Sequence, residues 1–337
     1  MQSMPEVSID TQSRARSQAP VFVLGCVRSG TTLLYHMLLS AGNFAVYRTE
    51  SCVFNLLEPR FGNLSFGPNK RKLLEAWCDS RLFTLSGLDK HEIETKVMDE
   101  CRNGGDFLRI VMSEIAMKQG VNRWADTTPE HILYLHRIKE TIPDALVIHI
   151  IRDGRDVALS TDKLGYIRRL PFDRKPSKMA AGLYWEWMVN KGRRDGRDLG
   201  ADYTEVHFEE LVSQPRETLA KLGQFIEQDL NYDQILRVGI GSVSAPNTSF
   251  GGGTAEDFNP VGRWQSGYSA EELAMFEGLV GQTLKDTGYA LAAEGREAKD
   301  RIDLRLMRAM YRTYFETKLY LKAKTPLGKL LATRDLS

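Results

Sequence analysis

The stretch VFVLGCVRSGTT at residues 21–32 decides the fold. Its first four residues have strand character, a loop bracketed by two glycines follows, and an apolar helical pattern starts at Leu33. A strand–loop–helix unit of this kind directs backbone N–H groups and a helix N-terminus at the contents of the loop, which favours an anion. The stretch therefore predicts a phosphate-binding loop.

This loop departs from the loop of nucleoside triphosphatases. Gly25 and Gly30 have the Walker spacing G-x-x-x-x-G, but Thr31-Thr32 occupies the place of the expected Lys-Ser/Thr pair. A cation, Arg28, lies inside the loop instead. Because the lysine that acts on terminal phosphates is missing, the loop predicts phosphate binding with a different chemistry.

A second phosphate motif follows a second apolar run. Residues 146–151 read as a buried strand, and Arg152 stands at its C-terminal end, where ligands bind in open parallel α/β sheets. Ser160 comes eight residues later, about two turns into the next helix. A guanidinium fork with a nearby hydroxyl suits a phosphate monoester.

Together these motifs resemble those of the sulfotransferases that use 3′-phosphoadenylyl sulfate. Residues 28–32 resemble the family's 5′-phosphosulfate loop, and Arg152 with Ser160 resembles its 3′-phosphate motif. Gly262-Arg263-Trp264 is similar to the family's C-terminal end. The resemblance covers residues 21 to about 290 and is nearest to the bacterial-type, protein-tyrosine and carbohydrate enzymes.

The resemblance implies in-line transfer of a sulfuryl group from 3′-phosphoadenylyl sulfate to an acceptor hydroxyl, with no metal. It implies a donor site made of Arg28, Ser29, Gly30, Thr31, Thr32, Arg152, Ser160 and Arg263. By the same analogy, Arg28 would also act in catalysis, by stabilising charge on the departing phosphate. The acceptor stays open among a glycan, a lipid, a peptide tyrosine and a small metabolite.

Two residues are candidates for the general base. Glu50 lies 22 residues after Arg28, comparable to the catalytic glutamate of the protein-tyrosine and related bacterial-type enzymes. The alternative for Glu50 is a carboxylate that pairs with Arg48. His131 is the rival base, since the cytosolic phenol and steroid enzymes use a histidine, and its alternative is an ordinary half-buried histidine.

One position departs from the family pattern. The segment ADTTPEH at residues 125–131 resembles the family's Lys-Thr-Pro segment, but Thr127 stands where related enzymes often carry a lysine. A hydroxyl cannot supply that charge. Either Arg28 does the electrostatic work alone, or Arg48 or Lys163 replaces the lysine.

Composition bounds the class of protein. The chain has 337 residues, 42% of them hydrophobic and 26% charged, which is ordinary for a soluble globular protein with an ample core. A net charge of +1 gives no indication of nucleic-acid binding. The four cysteines lack C-x-x-C spacing, which argues against zinc and disulfides and favours a reduced, cytoplasmic protein. No apolar run approaches the ~20 residues that span a bilayer.

Strands that alternate with helices predict a doubly wound parallel sheet flanked by helices, with helical insertions. We expect a flexible tail at residues 1–20, the sulfotransferase-like domain at 21–290 and a helical extension at 291–337. A glycine run at 251–253 is a candidate lid over the donor.

The C-terminal extension is basic. Residues 299–334 hold ten Lys or Arg and three acids, a net charge of +7, and residues 302–321 have a helical pattern. Two interpretations stay open: an amphipathic helix docked on the domain or on a second subunit, or a helix that contacts an anionic lipid surface.

Two other functional classes remain. The first is a kinase or nucleoside triphosphatase, which would respond to ATP with magnesium. The second is a non-catalytic relative that retains the fold and binds nucleotide. The missing lysine after Gly30 counts against the first, whereas Thr127 keeps the second open.

Overall fold

The computed structural model describes residues 15–245, 260–292 and 302–332. The glycine run predicted as a lid lies outside these residues. The described strands are β1 (Val21–Leu24), β2 (Ala125–Asp126), β3 (Leu146–Ile151) and β4 (Tyr203–His207). They form one sheet of order β2-β1-β3-β4 in which every neighbouring pair is parallel.

Helices cover both faces of this sheet. The first half of the chain supplies α1 (Thr31–Ser40), α2 (Glu58–Phe61), α3 (Gly67–Cys78), α4 (Arg81–Ser86), α5 (Lys90–Glu100), α6 (Gly104–Lys118), α7 (Leu135–Thr141) and α8 (Gly154–Lys163). The second half supplies α9 (Ser177–Arg197), α10 (Phe208–Ser213), α11 (Pro215–Ile226), α12 (Tyr232–Val238), α13 (Trp264–Gly267), α14 (Ala270–Asp286), α15 (Ile302–Lys324) and α16 (Gly328–Leu331).

Alternate residues of β1 enter two different cores. Phe22 and Leu24 pack with α6, α7 and α9, whereas Val21 and Val23 pack with α1, α11 and α12. Because successive side chains of a strand point to opposite faces, a sheet covered on both sides needs the unbroken apolar runs of β1 and β3. The predicted parallel, doubly wound α/β fold is confirmed.

Two local predictions from the sequence need correction. Pro129 and the pattern after it predict a helix over 130–140, but this segment divides into a 3₁₀ segment, Pro129–Tyr134, and α7, because the amide of His131 bonds back only three residues to the carbonyl of Thr128. The sequence also predicts a short strand over 44–46, which is a single bridge between Phe44 and Arg123. It stops there because the amide of Val46 bonds to a glutamine side chain instead of to a strand. A π-helical turn at Val53–Leu57 was not predicted.

The C-terminal helix α15 docks on the domain by one face. Leu304, Met307, Tyr311 and Phe315 are buried at spacings of three and four residues, and Phe315 packs edge-on against Tyr184 of α9 with ring centroids 5.4 Å apart. The face is therefore part of the main core rather than a surface feature. None of the helices within the described ranges combines the length and apolarity needed to cross a bilayer.

Candidate active site

The candidate residues lie where parallel strands end. The glycine-bracketed loop follows β1, Thr127–His131 follows β2, Arg152 follows β3 and Phe208 follows β4. Because all four strands are parallel, these segments meet at one edge of the sheet. Residues that are far apart in sequence are thereby brought into contact.

The backbone of the loop is shaped for an anion. Arg28 and Gly30 have left-handed backbones, with φ of 69° and 96°, and α1 begins directly afterwards at Thr31. The first N–H groups of a helix have no intrahelical partner, so the amides of Thr31 and Thr32 are available to a ligand. The hydroxyl of Ser29 is buried without a hydrogen-bond partner among the described residues.

The two phosphate motifs touch each other. Arg28 Nε donates to Ser160 Oγ at 3.0 Å across 132 residues of sequence, and Arg152 Nη1 donates to the carbonyl of Arg28 at 3.0 Å. The second η nitrogen of Arg152 donates to the carbonyl of Pro260, while its Nε is buried with no partner among the described residues. The structure therefore joins Arg28, Arg152 and Ser160 into one cluster.

Phe208 forms the floor of this cluster. The Arg152 guanidinium carbon lies 4.5 Å from the centroid of the Phe208 ring, a cation–π distance. A Cβ atom at Gly30 would lie 2.3 Å from the same ring. Phe208 packs and makes no hydrogen bond through its ring, as its residue type predicts.

Arg263 is held beside the cluster through its neighbours. The amides of Gly262 and Trp264 donate to the Asp156 carboxylate at 2.9 and 2.8 Å. Burial raises the pKa of Asp156, with Arg152 opposing that shift. The Asp156 carboxylate on α8 thus fixes the backbone on both sides of Arg263.

Burial lowers the pKa of all three arginines of this region, Arg28, Arg152 and Arg263. At Arg152, Asp156 and Glu209 oppose this lowering of the pKa, and Arg263 and Arg28 add to it. Desolvated cations that repel one another are stabilised when an anion joins them.

Two buried donor groups show what kind of ligand this site can accept. Ser29 Oγ and Arg152 Nε are buried donors that lack partners among the described residues, and such groups are costly unless a ligand satisfies them. An anion with several oxygen atoms would satisfy both donors and neutralise the arginines. The residues present therefore fit a phosphorylated ligand.

The position of Arg155, three residues after Arg152, allows either a ligand contact or a contact within the protein, and the structure shows the second. Arg155 pairs with Asp153 and Glu277 at 2.7 Å each, and its guanidinium carbon lies 3.7 Å from the Trp264 ring centroid. Asp153 also accepts the amide of Arg155 and caps α8. Arg155 is therefore a structural neighbour of the cluster of Arg28, Arg152 and Ser160, and Trp264 stacks on it.

Glu50 is half-buried, and the segment that carries it is held by a hydrogen bond to the loop after β2. Cys52 has a left-handed backbone with φ of 54°, and its amide donates to Thr128 Oγ1 at 3.1 Å. The Cys52 thiol lies 3.8 Å from a Glu50 carboxylate oxygen. The side chain of Thr128 therefore fixes the backbone two residues after Glu50.

His131 is fully buried with both ring nitrogens in use. Nε2 accepts from the amide of Phe54 at 3.1 Å, and Nδ1 lies 2.9 Å from Asp126 Oδ2. Since an amide can only donate, the proton of the ring lies on Nδ1, which donates to Asp126. This arrangement favours a positioning role for His131 over that of a base that must take a proton from substrate.

Asp126 is the centre of this buried network. It accepts from the Thr128 amide at 3.1 Å, from the Thr128 hydroxyl at 3.3 Å and from His131. Burial opposes ionisation of Asp126, yet His131, Ser51 and Thr128 together hold its pKa below the ordinary value. Residues 51–54 are thus attached to the end of β2 by a charged, buried anchor.

Thr127 brings no cation to the site. Its hydroxyl is buried and has no hydrogen-bond partner among the described residues. Arg48 and Lys163, the proposed replacements for the family lysine, are both exposed side chains. Arg28 is the half-buried cation of the loop itself, which favours it for the electrostatic work.

Sequence reasoning missed the network of Asp126, Thr128 and His131 as a unit. The only signal was the spacing D-x-T-x-x-H after a strand of two residues, which is too short to recognise by periodicity. Sequence reasoning likewise did not find that Asp156 holds the backbone around Arg263.

Outside this cluster, the described ranges contain a cavity but no group of residues suited to a metal ion. No group of three or more His, Cys, Asp or Glu there could hold a metal ion. A cavity of about 820 Å³ lies between α2, α7, α9 and α15, and Phe54, Tyr134 and Tyr320 are among its walls. Phe54, four residues after Glu50, is thus one of the residues that line this cavity.

The chain is similar to known sulfotransferases in sequence and in fold. The sequence model described as "Sulfotransferase family" matches residues 20–232. No curated protein matches the chain. Among solved structures, the sulfotransferase domain of the Synechococcus olefin synthase is similar, with 18% identity, 88% of this chain and 94% of that chain covered, and a TM-score of 0.44. A sulfotransferase from Mycobacterium avium shares 15% identity over 82% and 79% of the two chains, with a TM-score of 0.44.

Proposed function

The chain belongs to the sulfotransferase family, and from that premise we propose that it moves a sulfuryl group from 3′-phosphoadenylyl sulfate to an acceptor hydroxyl. The identity of the donor, the transfer reaction and the roles of the individual residues all belong to this proposal. The acceptor class remains a glycan, a lipid, a peptide tyrosine or a small metabolite.

One observation carries the proposal. Arg28 of the first phosphate motif donates to Ser160 of the second, and Arg152 donates back to the carbonyl of Arg28. A nucleotide with phosphate groups at both ends of its ribose needs two anion sites close together. Contact between two motifs 132 residues apart supports that arrangement, and a single loop for a triphosphate would not require it.

The donor supplies a sulfuryl group activated by its anhydride bond to the 5′-phosphate. In the proposed roles, the amides of Thr31 and Thr32 hold the 5′-phosphate, and Arg28 stabilises charge on its bridging oxygen as the bond to sulfur breaks. Arg152, Ser160 and Arg263 bind the 3′-phosphate. Ser29 Oγ and Arg152 Nε gain the hydrogen-bond partners that they lack among the described residues.

Glu50 takes the proton of the acceptor hydroxyl as the oxygen attacks sulfur. A half-buried carboxylate can act as this base, and removal of a general base typically slows a reaction 10²–10⁴-fold. His131 acts through the backbone of Phe54 and keeps the segment after Glu50 in place. It is a positioning residue in this proposal, and Glu50 is the base.

The test is a calorimetric titration of the purified protein with adenosine 3′,5′-bisphosphate, adenosine 5′-phosphate and ATP with magnesium. We expect tight binding of the bisphosphate, at least tenfold weaker binding of the monophosphate, and no preference for ATP with magnesium. A preference for ATP with magnesium would refute the donor and favour a kinase.

A protein that binds bisphosphate could still be a non-catalytic relative. Incubation with sulfur-35-labelled donor and a panel of hydroxyl acceptors separates the two. Label transferred to an acceptor by the native protein, and lost with Glu50→Gln, supports the transferase. Binding without transfer to any acceptor class would favour the non-catalytic alternative.

A further inference from the structure

The helix α15 has a second apolar face, which is exposed to solvent and points away from the domain. Ile302, Leu306, Tyr314 and Tyr320 are 81%, 59%, 40% and 61% exposed, although four other residues of the helix form its buried face. With Met310, Thr313, Thr317 and Leu321 they recur at intervals of three and four residues, so they share one stripe.

The exposure is concentrated in this part of the molecule. Seven of the sixteen large apolar side chains that are more than a third exposed lie in residues 302–332, which hold 31 of the 295 described residues. Leu327, Leu330 and Leu331 continue the apolar surface beyond the end of α15. Apolar side chains that cluster in this way indicate an interaction surface, whereas single ones do not.

Cations flank the stripe. Residues 302–332 contain seven Lys or Arg and two acids. Of the acids, Asp303 lies 3.9 Å from Lys175, and Glu316 accepts from the Trp187 indole, so neither neutralises the exposed side. Lys318, Lys324 and Lys329 are exposed beside the apolar side chains.

We propose that α15 and α16 form a docking surface for an anionic lipid bilayer. The apolar stripe would enter the headgroup–acyl boundary, and the flanking lysines would contact lipid phosphates. A second copy of the chain fits less well, because two net-positive faces would repel each other on contact. An anionic bilayer complements both the charge and the apolarity.

The helix α15 is anchored to the domain by its inner face and by an ion pair. Its inner face is fixed by Tyr311 and Phe315 in the core, and Arg308 binds the Glu186 carboxylate through two nitrogens. The helix therefore exists before it meets a membrane, and lipid binding need not supply the free energy of ordering it. The inference does not depend on the donor or on the reaction proposed above.

The test is cosedimentation of the full chain with sucrose-loaded vesicles. Vesicles of phosphatidylcholine alone are compared with vesicles in which about a third of the lipid is phosphatidylglycerol. We expect partition onto the anionic vesicles and at least tenfold less onto the neutral ones. Leu306→Glu should lower partition at least tenfold, since it places a carboxylate in the stripe. The double change Lys324→Gln with Lys329→Gln should lower it about fivefold per cation.

Matched controls use equal changes elsewhere on the surface. Met117→Glu alters a side chain that is 65% exposed on α6, and Arg71→Gln with Lys72→Gln removes two exposed cations from α3. Both controls should partition within twofold of the native chain, with unchanged melting temperatures for all variants. Absence of vesicle binding, or equal losses in the controls, would overturn the proposal. So would a dimer that Leu306→Glu converts to a monomer without changing vesicle partition, which would make the face an interface between copies.

Discussion

Arg152→Met and Arg155→Met form a pair of substitutions with opposite expected results. The two arginines are three residues apart and both are buried. The Nε of Arg152 has no partner in the part of the chain that the structure describes, whereas Arg155 is paired with Asp153 and Glu277. A hydrogen bond to a charged group contributes about 1.5–3 kcal/mol, so loss of two such bonds to a 3′-phosphate weakens binding roughly 10²–10⁴-fold. Methionine keeps an apolar stem against Phe208.

The fold should respond in the reverse order. Arg155→Met leaves the Asp153 and Glu277 carboxylates buried without their cation, which costs about 3–5 kcal/mol of the free energy of unfolding. Arg152→Met removes a desolvated cation that Arg28 and Arg263 repel. It costs two carbonyls a donor and takes a cation away from Asp156 and Glu209, but Asp156 keeps its two backbone donors, so we expect a smaller change than for Arg155→Met.

Titration calorimetry and thermal unfolding measure both effects. In Arg152→Met, the dissociation constants for adenosine 3′,5′-bisphosphate and adenosine 5′-phosphate should become nearly equal. In Arg155→Met, the preference for the bisphosphate should persist while the melting temperature falls. If Arg152→Met keeps the preference, the assignment of Arg152 to the 3′-phosphate is wrong.

Two further predictions concern the base and its support. Glu50→Gln should reduce the rate of transfer 10²–10⁴-fold and leave the dissociation constant of the bisphosphate within twofold; an active variant would make another residue the base. Asp126→Asn should lower kcat without changing bisphosphate affinity, because it loosens residues 51–54, and equal losses in both would contradict a positioning role. Since the pKa of Asp126 is held below its ordinary value, its contribution to stability is complete above about pH 4 and is lost as the pH falls through the lowered pKa. The difference in unfolding free energy between native protein and Asp126→Asn should therefore be constant from about pH 5 to 8 and vanish in acid.

The sequence predicted the frame of the fold because its strands are buried on both faces. Residues 146–151 form β3 with the predicted bounds, and α1 starts immediately after Gly30. Such runs are apolar throughout, so their burial is readable without a structure. The short β2 was not readable, since two residues carry no periodicity.

Candidate residues could be chosen from the sequence where the residue type itself indicates the kind of ligand. Arg28 and Arg152 could be chosen from strand, loop and helix order, because cations at those positions suit phosphates. The role of His131 could not be read in this way. Its partners are the amide of Phe54 and the carboxylate of Asp126, and the first of these contacts depends on a π-helical turn that no sequence pattern indicated.

The ring of Phe208 couples positions 30, 152 and 208, so that substitutions at one of them affect the other two. It occupies the space that a side chain at position 30 would need, and it carries the guanidinium of Arg152 on its face. A smaller residue at 208 would remove the steric clash with a side chain at 30, although the left-handed backbone there would still favour glycine, and it would withdraw support from Arg152 in the same step. Substitutions at these three positions should therefore be strongly epistatic, and drift at one of them is constrained by the identity of the other two.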